Sequence, residues 1–167
     1  MTREEYCIHS QEMSVNIVNS EVDSIRHKKL KKTGIRIYKE GKIGIAGYLG
    51  EKGKEKAEKK ALEALKYNIE YPVDPTKEII RHEEFGEKLF TDEEFLEEIE
   101  SFFTYLRAEH PQFIFSDKMR RIETAISLKN SEGLDLQQKI NYLQFTVLFK
   151  VKGSADIING GFSYSSV

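Results

Sequence analysis

The chain has 167 residues, 39% of them hydrophobic and 32% charged, with a formal net charge of −2. That length suits one ordinary domain or two small ones, and the apolar content excludes a disordered segment. The near-neutral balance excludes a global field that draws the molecule onto nucleic acid or an anionic membrane.

No apolar run approaches the roughly 20 residues that span a bilayer. Met1-Thr2-Arg3-Glu4-Glu5 leads into no apolar stretch of the secretory kind, so a cytoplasmic protein is expected. Cys7 stands alone and allows neither an internal disulfide nor a thiolate cluster.

In chain order, Tyr6 with Ile8 and Val15 with Ile17 predict two short strands over residues 4–20, closed by an Asn19-Ser20 turn. Residues 22–32 carry Arg26-His27-Lys28-Lys29-Leu30-Lys31-Lys32. They are too polar to bury on both faces and predict an edge strand whose lysines discourage pairing with other chains. The next stretch, Thr33 to Gly50, reads as a hairpin. A three-residue turn Lys39-Glu40-Gly41 would set Ile37 opposite Ile43 and Ile35 opposite Ile45, with Gly41 left-handed. Arg36 would then lie opposite Gly44, and Gly34 opposite Ala46. That leaves a face with little bulk beside one guanidinium.

Residues 51–68 predict a helix with an alanine-rich stripe, Ala57, Ala61, Ala64 and Leu65. Residues 71–92 read as a connector with a short helix near 77–82. Thr91-Asp92-Glu93-Glu94 is a capping-box pattern opening a helix whose apolar face is Phe95, Ile99, Phe102, Phe103 and Leu106. His110-Pro111 stops it. The last third alternates. Ile122, Thr124, Ile126 and Leu128 lead to a turn at Asn130-Ser131-Glu132-Gly133, and Leu143, Phe145, Val147, Phe149 and Val151 mark a long strand. A final strand over 157–164 is expected to break at Gly160-Gly161. The fold class is α+β: antiparallel sheets with helices packed on one face, in two small modules over 1–70 and 93–167 joined by the connector.

No catalytic constellation is complete. Gly41 to Gly47 is glycine-rich but fits neither the Walker nor the dinucleotide pattern. His82-Glu83-Glu84-Phe85-Gly86 begins like HExxH, but Gly86 stands where the second histidine is needed, so no metal site is expected. Cys7 and His9 share a strand face, where a small buried residue beside a surface histidine is the simpler reading. The acidic run Asp92 to Glu100 suits a helix's first turn and a solvated face. The basic run from Arg26 lacks interleaved aromatics and divides its charges over two strand faces, which argues against nucleic-acid binding.

The order of these motifs resembles the N-terminal part of the TldD/PmbA family of metallopeptidases, once labelled modulators of DNA gyrase. The likeness runs over roughly residues 5–165. It rests on "NSEVDSI", then "GIRIYKEGKIGIAGY", then a charged alanine-rich helix, then a hairpin around an Asn-Ser-x-Gly turn. Gly34, Arg36, Tyr38, Gly41, Gly44 and Ala46 occupy the places of the first motif, and Asn130, Ser131 and Gly133 those of the second. The resemblance implies dimers, often of two related subunits, that act on unfolded peptides. It also implies a zinc-binding HExxxH or HExxxD segment in the family's C-terminal half, which this sequence lacks. The chain is therefore expected to be the non-catalytic front part, cut from a longer protein or a short natural relative, with no cofactor of its own. The alternative is a free-standing regulatory or peptide-binding protein that acts by strand addition. An extended peptide could lie on the glycine face with Arg36 receiving a carboxylate. The plainer alternative has Arg36 paired with a local acid and the glycines serving sheet geometry.

Overall fold

The first seventeen-residue strand, β1, runs Thr2–Val18 without interruption. The two short strands expected there are one, because the polar residues between them remain in the ladder, where Ser10 Oγ meets Thr124 Oγ1 at 3.3 Å. The computed structural model describes residues 1–86 and 90–166. After β1 come β2 Glu21–Lys39, β3 Lys42–Leu49, α1 Lys54–Ala64, β4 Ile80–Phe85, α2 Asp92–Glu109, β5 Phe113–Asn130, β6 Asp135–Val151 and β7 Gly160–Ser166. The class is α+β, as the sequence predicts. No helix among the described residues is long and apolar enough to cross a membrane.

The chain forms two compact units, each drawn from three segments: residues 1–10, 29–85 and 124–139 in the first, and 11–28, 86–123 and 140–167 in the second. The strands β1, β2, β5 and β6 contribute residues to each.

In the first unit the strand order is β3-β2-β1-β5-β6-β4. The helix α1 lays Ala57 and Ala61 on Ile35 and Ile37, with Ala46, Tyr48 and Leu65 packed around them. Alanine lets the helix come so close that a Cβ on Gly44 would sit 2.0 Å from the Ala61 carbonyl oxygen. This contact explains why the hairpin differs from the expected register. The turn has two residues, Glu40 and Gly41, both left-handed at φ 51° and 70°, and Tyr38 pairs with Ile43, Ile37 with Gly44, and Arg36 with Ile45. Two left-handed turn residues match the right-handed twist of the strands. Ile43 is buried from another direction. Its N–H donates to Ile69 O at 3.0 Å, Tyr71 N–H donates to Gly41 O at 2.7 Å, and the Tyr71 ring lies 5.0 Å from that of Tyr38. Residues 80–85, partly expected as helix, form β4. Asp135 N–H donates to Ile79 O, and farther along Lys139 meets Glu84, so β4 runs in the same direction as β6.

In the second unit α2 begins with the capping box read from the sequence. Glu94 N–H donates to Thr91 Oγ1, and Thr91 N–H donates to Glu94 Oε2. Its buried face, Phe95, Ile99, Phe103 and Leu106, packs on Met13, Val15 and Ile17 of β1, Phe115 and Met119 of β5, and Val147 of β6. Phe102 falls just outside this stripe and stays partly exposed. The turn between β1 and β2 is the predicted Asn19-Ser20, left-handed at both residues. Ser20 is buried there, exchanging bonds with the Phe115 backbone. The expected break in the last strand does not occur: Gly160 and Gly161 sit within β7 because Cβ atoms there would meet the Phe149 and Leu148 side chains at 2.7 and 2.5 Å.

Candidate functional site

Cross-strand partners share a face, so the observed register assigns every side chain of the β2–β3 hairpin. Ile35, Ile37, Gly44 and Ala46 face α1, while Gly34, Arg36, Tyr38, Ile43, Ile45 and Gly47 face away. The expected low-bulk face is therefore not formed: Gly44 and Ala46 lie on the side of α1, Arg36 has Ile45 as its partner and Tyr38 has Ile43, and on that side only the Gly34–Gly47 pair lacks bulk. Gly34 and Gly47 form the floor of an open trough of about 400 Å³, walled by Tyr6 and Ile8 of β1 and by Leu49. A Cβ on Gly34 would find Tyr6 O at 4.0 Å, ordinary contact distance. The floor is therefore flat because glycine occupies it, and at Gly34 a small side chain would fit.

Next to the trough lies a polar network that the sequence does not reveal. Arg36 Nη1 donates to Glu4 Oε1 at 2.8 Å, and the Tyr38 hydroxyl donates to the same oxygen at 3.0 Å. The Glu4 side chain is 7% exposed and that of Arg36 42%. The carboxylate is thus desolvated and doubly bonded, and the cation is half in solvent. Burial pushes the Tyr38 hydroxyl up to about 12, and the neighbouring Glu4 charge adds to the effect. Burial pulls the Arg36 guanidinium down, but its bonds with Glu4 and Tyr38 outweigh this and hold it above its usual value. Arg36 is already paired, so it is not a free receptor for an incoming carboxylate. The chemistry left to the trough is shape and backbone approach.

The second motif is an anchoring turn. Asn130 Oδ1 accepts from Glu132 N–H and Leu134 N–H at 2.9 and 3.1 Å, and Asn130 Nδ2 donates to Thr76 O at 2.7 Å. Ser131 exchanges bonds with the Arg3 backbone: Ser131 N–H donates to Arg3 O, and Arg3 N–H donates to Ser131 Oγ. Gly133 is left-handed at φ 87° and lies against Glu78. These three residues tie the β5–β6 turn to β1 and to the 76–78 segment. They are not brought to the trough. Gly41 is in the hairpin turn, with open space around it.

His82 lies 3.5 Å from Asp135, whose carboxyl is lowered by hydrogen bonds from Gln137 and Lys129. Cys7 accepts a bond from Thr33 Oγ1 at 3.6 Å. Among the described residues no group of three or more His, Cys, Asp and Glu side chains converges as a metal site. The basic stretch of β2 is exposed. β3 reaches β2 no farther than the Lys32–Leu49 pair, so Glu21 to Lys31 form an outer edge among the described strands. Lys31 is held above its usual pKa by its bond to Glu51.

The residues that reasoning from sequence missed here are Glu4 and Gly47. Glu4 carries a weak signal, an acid in alternation with Tyr6 and Ile8. Gly47 carries none until the register is known.

Residues 6–66 match the family model described as PmbA/TldA metallopeptidase domain 1. No curated protein sequence matches the chain. TldE from Thermococcus kodakarensis is similar in structure over 98% of this chain and 39% of its own, at 15% identity and a TM-score of 0.66. A candidate modulator of DNA gyrase from Thermotoga maritima aligns with 98% of this chain and 38% of its own, at 18% identity and a TM-score of 0.67. Another from Bacteroides thetaiotaomicron aligns with 99% of this chain and 40% of its own, at 11% identity and a TM-score of 0.69. At these identities the likeness is one of fold, and the chain spans about 40% of the length of these structures.

Proposed function

We propose that this chain, whose residues 6–66 match the model of a PmbA/TldA metallopeptidase domain 1, serves in the cytoplasm as the non-catalytic N-terminal region of a TldD/PmbA-like metallopeptidase. In this reading it contributes to dimer assembly, with a like or related subunit, and to the chamber that admits unfolded peptide. The observation that carries the reading is the agreement of two independent likenesses: a family model over residues 6–66 and a shared fold over 98% of the chain. The trough at Gly34 and Gly47 supports the peptide-admitting role. A surface without side-chain bulk lets an extended backbone approach whatever its sequence, and tolerance of sequence is what unfolded substrates require. Zinc chemistry belongs, in this reading, to a C-terminal region of the kind the family carries.

Metal analysis of the purified chain, with a peptide-cleavage assay on unfolded casein, tests the proposal. The expected result is no stoichiometric zinc and no turnover. One tightly held zinc per chain, or turnover abolished by a chelator, overturns it.

A further inference from the structure

The strand β3 covers only the later part of β2. Its pairing begins at Lys32, and no described strand lies along the same side of β2 from Ser24 to Leu30. An edge of this kind holds backbone groups without partners, and their directions follow from two bonds. Lys31 O accepts from Gly50 N–H at 2.9 Å, on the outer side. Arg26 O accepts from Ser14 Oγ at 3.5 Å, on the side of β1. Successive strand residues turn their N–H and C=O groups to opposite sides, so Ile25, His27 and Lys29 direct theirs outward.

The side chains of this edge fall into two sets. His27 and Lys31 are spent within the chain, on Asp92 and Glu51. Arg26, Lys28 and Lys29 are exposed and form no ion pair among the described residues. Arg26 and Lys28 share a face with Ser24, which accepts from Asn16 Nδ2 at 2.8 Å. His27 lies on the other face with Ile25, which is 44% exposed. One face of the edge is thus cationic. The other is apolar beside a histidine that already has its carboxylate.

This pattern selects an acidic strand. Residues i and i+2 of any strand are about 6.8 Å apart, so alternate acids on an added strand keep step with Arg26 and Lys28. The residues between those acids then lie beside Ile25. A nucleic acid would match the charge but leave the outward N–H and C=O groups unused. A second copy of this edge would bring lysine against lysine, which is destabilising. Lysines on an edge discourage pairing in general, and a strand of opposite charge is the exception.

We propose that the outer edge of β2, from Ser24 to Leu30, receives an acidic extended protein segment as an added strand, in line with β3. Main-chain bonds to Ile25, His27 and Lys29 supply affinity. Glutamate or aspartate at alternate positions meets Arg26 and Lys28, and uncharged residues between them pack by Ile25. The assignment goes beyond the proposed function and stands whether or not the chain belongs to a peptidase.

The test uses fluorescence anisotropy of the full chain with the labelled peptide Glu-Val-Glu-Thr-Glu-Val-Glu. Binding is expected with a dissociation constant below about 1 mM, at least about tenfold tighter than for two controls. One control is Lys-Val-Lys-Thr-Lys-Val-Lys, and the other is the reordered Glu-Glu-Glu-Glu-Val-Thr-Val. Arg26→Glu and Lys28→Glu should each weaken binding by about fivefold or more while leaving the far-ultraviolet spectrum unchanged. Methylating alternate backbone amides of the peptide, in the two possible phases, should abolish binding in one phase and spare it in the other. Equal binding of either control overturns the proposal, as does equal tolerance of both methylation phases. So does an affinity that neither charge reversal moves, or a dissociation constant weaker than about 1 mM. A chain that dimerises through Lys28, or that binds single-stranded oligothymidylate at least as tightly as the peptide, would assign the edge to a second copy or to nucleic acid and also overturn it.

Discussion

Glu4 and Arg36, thirty-two positions apart, are joined by a 2.8 Å bond from Nη1 to Oε1. The guanidinium on the glycine-bearing face of the hairpin is thus already committed to its own chain. This pair, together with Tyr38, fixes β1 against β2 beside the trough, and it has a measurable dependence on alkali.

The Tyr38 hydroxyl titrates at about 12 in the fold and near 10.0 when free. Its folded pKa is raised, so the neutral form is the stabilising one. That contribution is whole below pH 10.0 and is lost as pH rises through about 12. Two pKa units correspond to something on the order of 3 kcal/mol. Urea unfolding across this window is expected to show a steeper loss of stability in the parent chain than in Tyr38→Phe. Parallel profiles would remove Tyr38 from the alkaline limit. At neutral pH Tyr38→Phe should cost about 1 to 2 kcal/mol, because the buried Glu4 oxygen loses one of its two donors.

Gly44 and Gly34 are both strand glycines, yet their replacement should have opposite outcomes. Gly44→Ala drives a methyl to 2.0 Å from the Ala61 carbonyl oxygen, and backbone cannot swing aside as a side chain can. A loss of about 2 kcal/mol or more is expected, in the range of core overpacking. Gly34→Ala meets nothing closer than 4.0 Å and should leave the melting temperature near that of the parent. Its value lies elsewhere: it raises the floor of the trough without unfolding the unit. A peptide that lies on the trough should bind Gly34→Ala or, more clearly, Gly34→Val more weakly, as read by calorimetry at matched stability.

Asn130→Ala removes two bonds within the β5–β6 turn and the one to Thr76 O. Asn130 is partly exposed, so the global cost should stay near 1 to 2 kcal/mol. The local effect should be larger, since residues 72–79 are largely exposed and this bond is one of their attachments. Limited trypsin digestion is expected to cut faster at Lys77 in the variant. An unchanged rate would mean that Glu78 N–H, which donates to Glu132 O, holds the segment by itself.

The elements most legible in the sequence were those whose signals are local. The capping box at Thr91 and Glu94, the alternation from Leu143 to Val151, and the Asn19-Ser20 turn each depend on neighbours within a few residues. The hairpin register was not legible. The inference placed all four isoleucines on one face, on the premise that they share a core. In fact Ile35 and Ile37 meet α1 while Ile43 is covered by the returning chain at Ile69 and Tyr71. How closely α1 approaches is set by Ala57 and Ala61, a distance in space that strand periodicity does not encode. Likewise Glu4 reads as one more charge in an acidic N-terminus until β2 brings Arg36 and Tyr38 to it. The open edge of β2 was half legible: its lysine-rich character was visible, but not which of its cations are spent on Asp92 and Glu51 and which remain.

The interleaving of the two units bears on genetics. Four strands each supply residues to both, so no stop codon, internal deletion or exchange of a contiguous half can remove one unit and leave the other whole. Truncation after residue 70 would strand β1 and β2 without the β5 that β1 meets through the Ser20 and Ser131 bonds. Deletion mapping of this chain would therefore report loss of everything at once. Roles for the trough and for the β2 edge can be separated by single substitutions such as Gly34→Val and Lys28→Glu, each of which alters one surface and leaves every strand its partner.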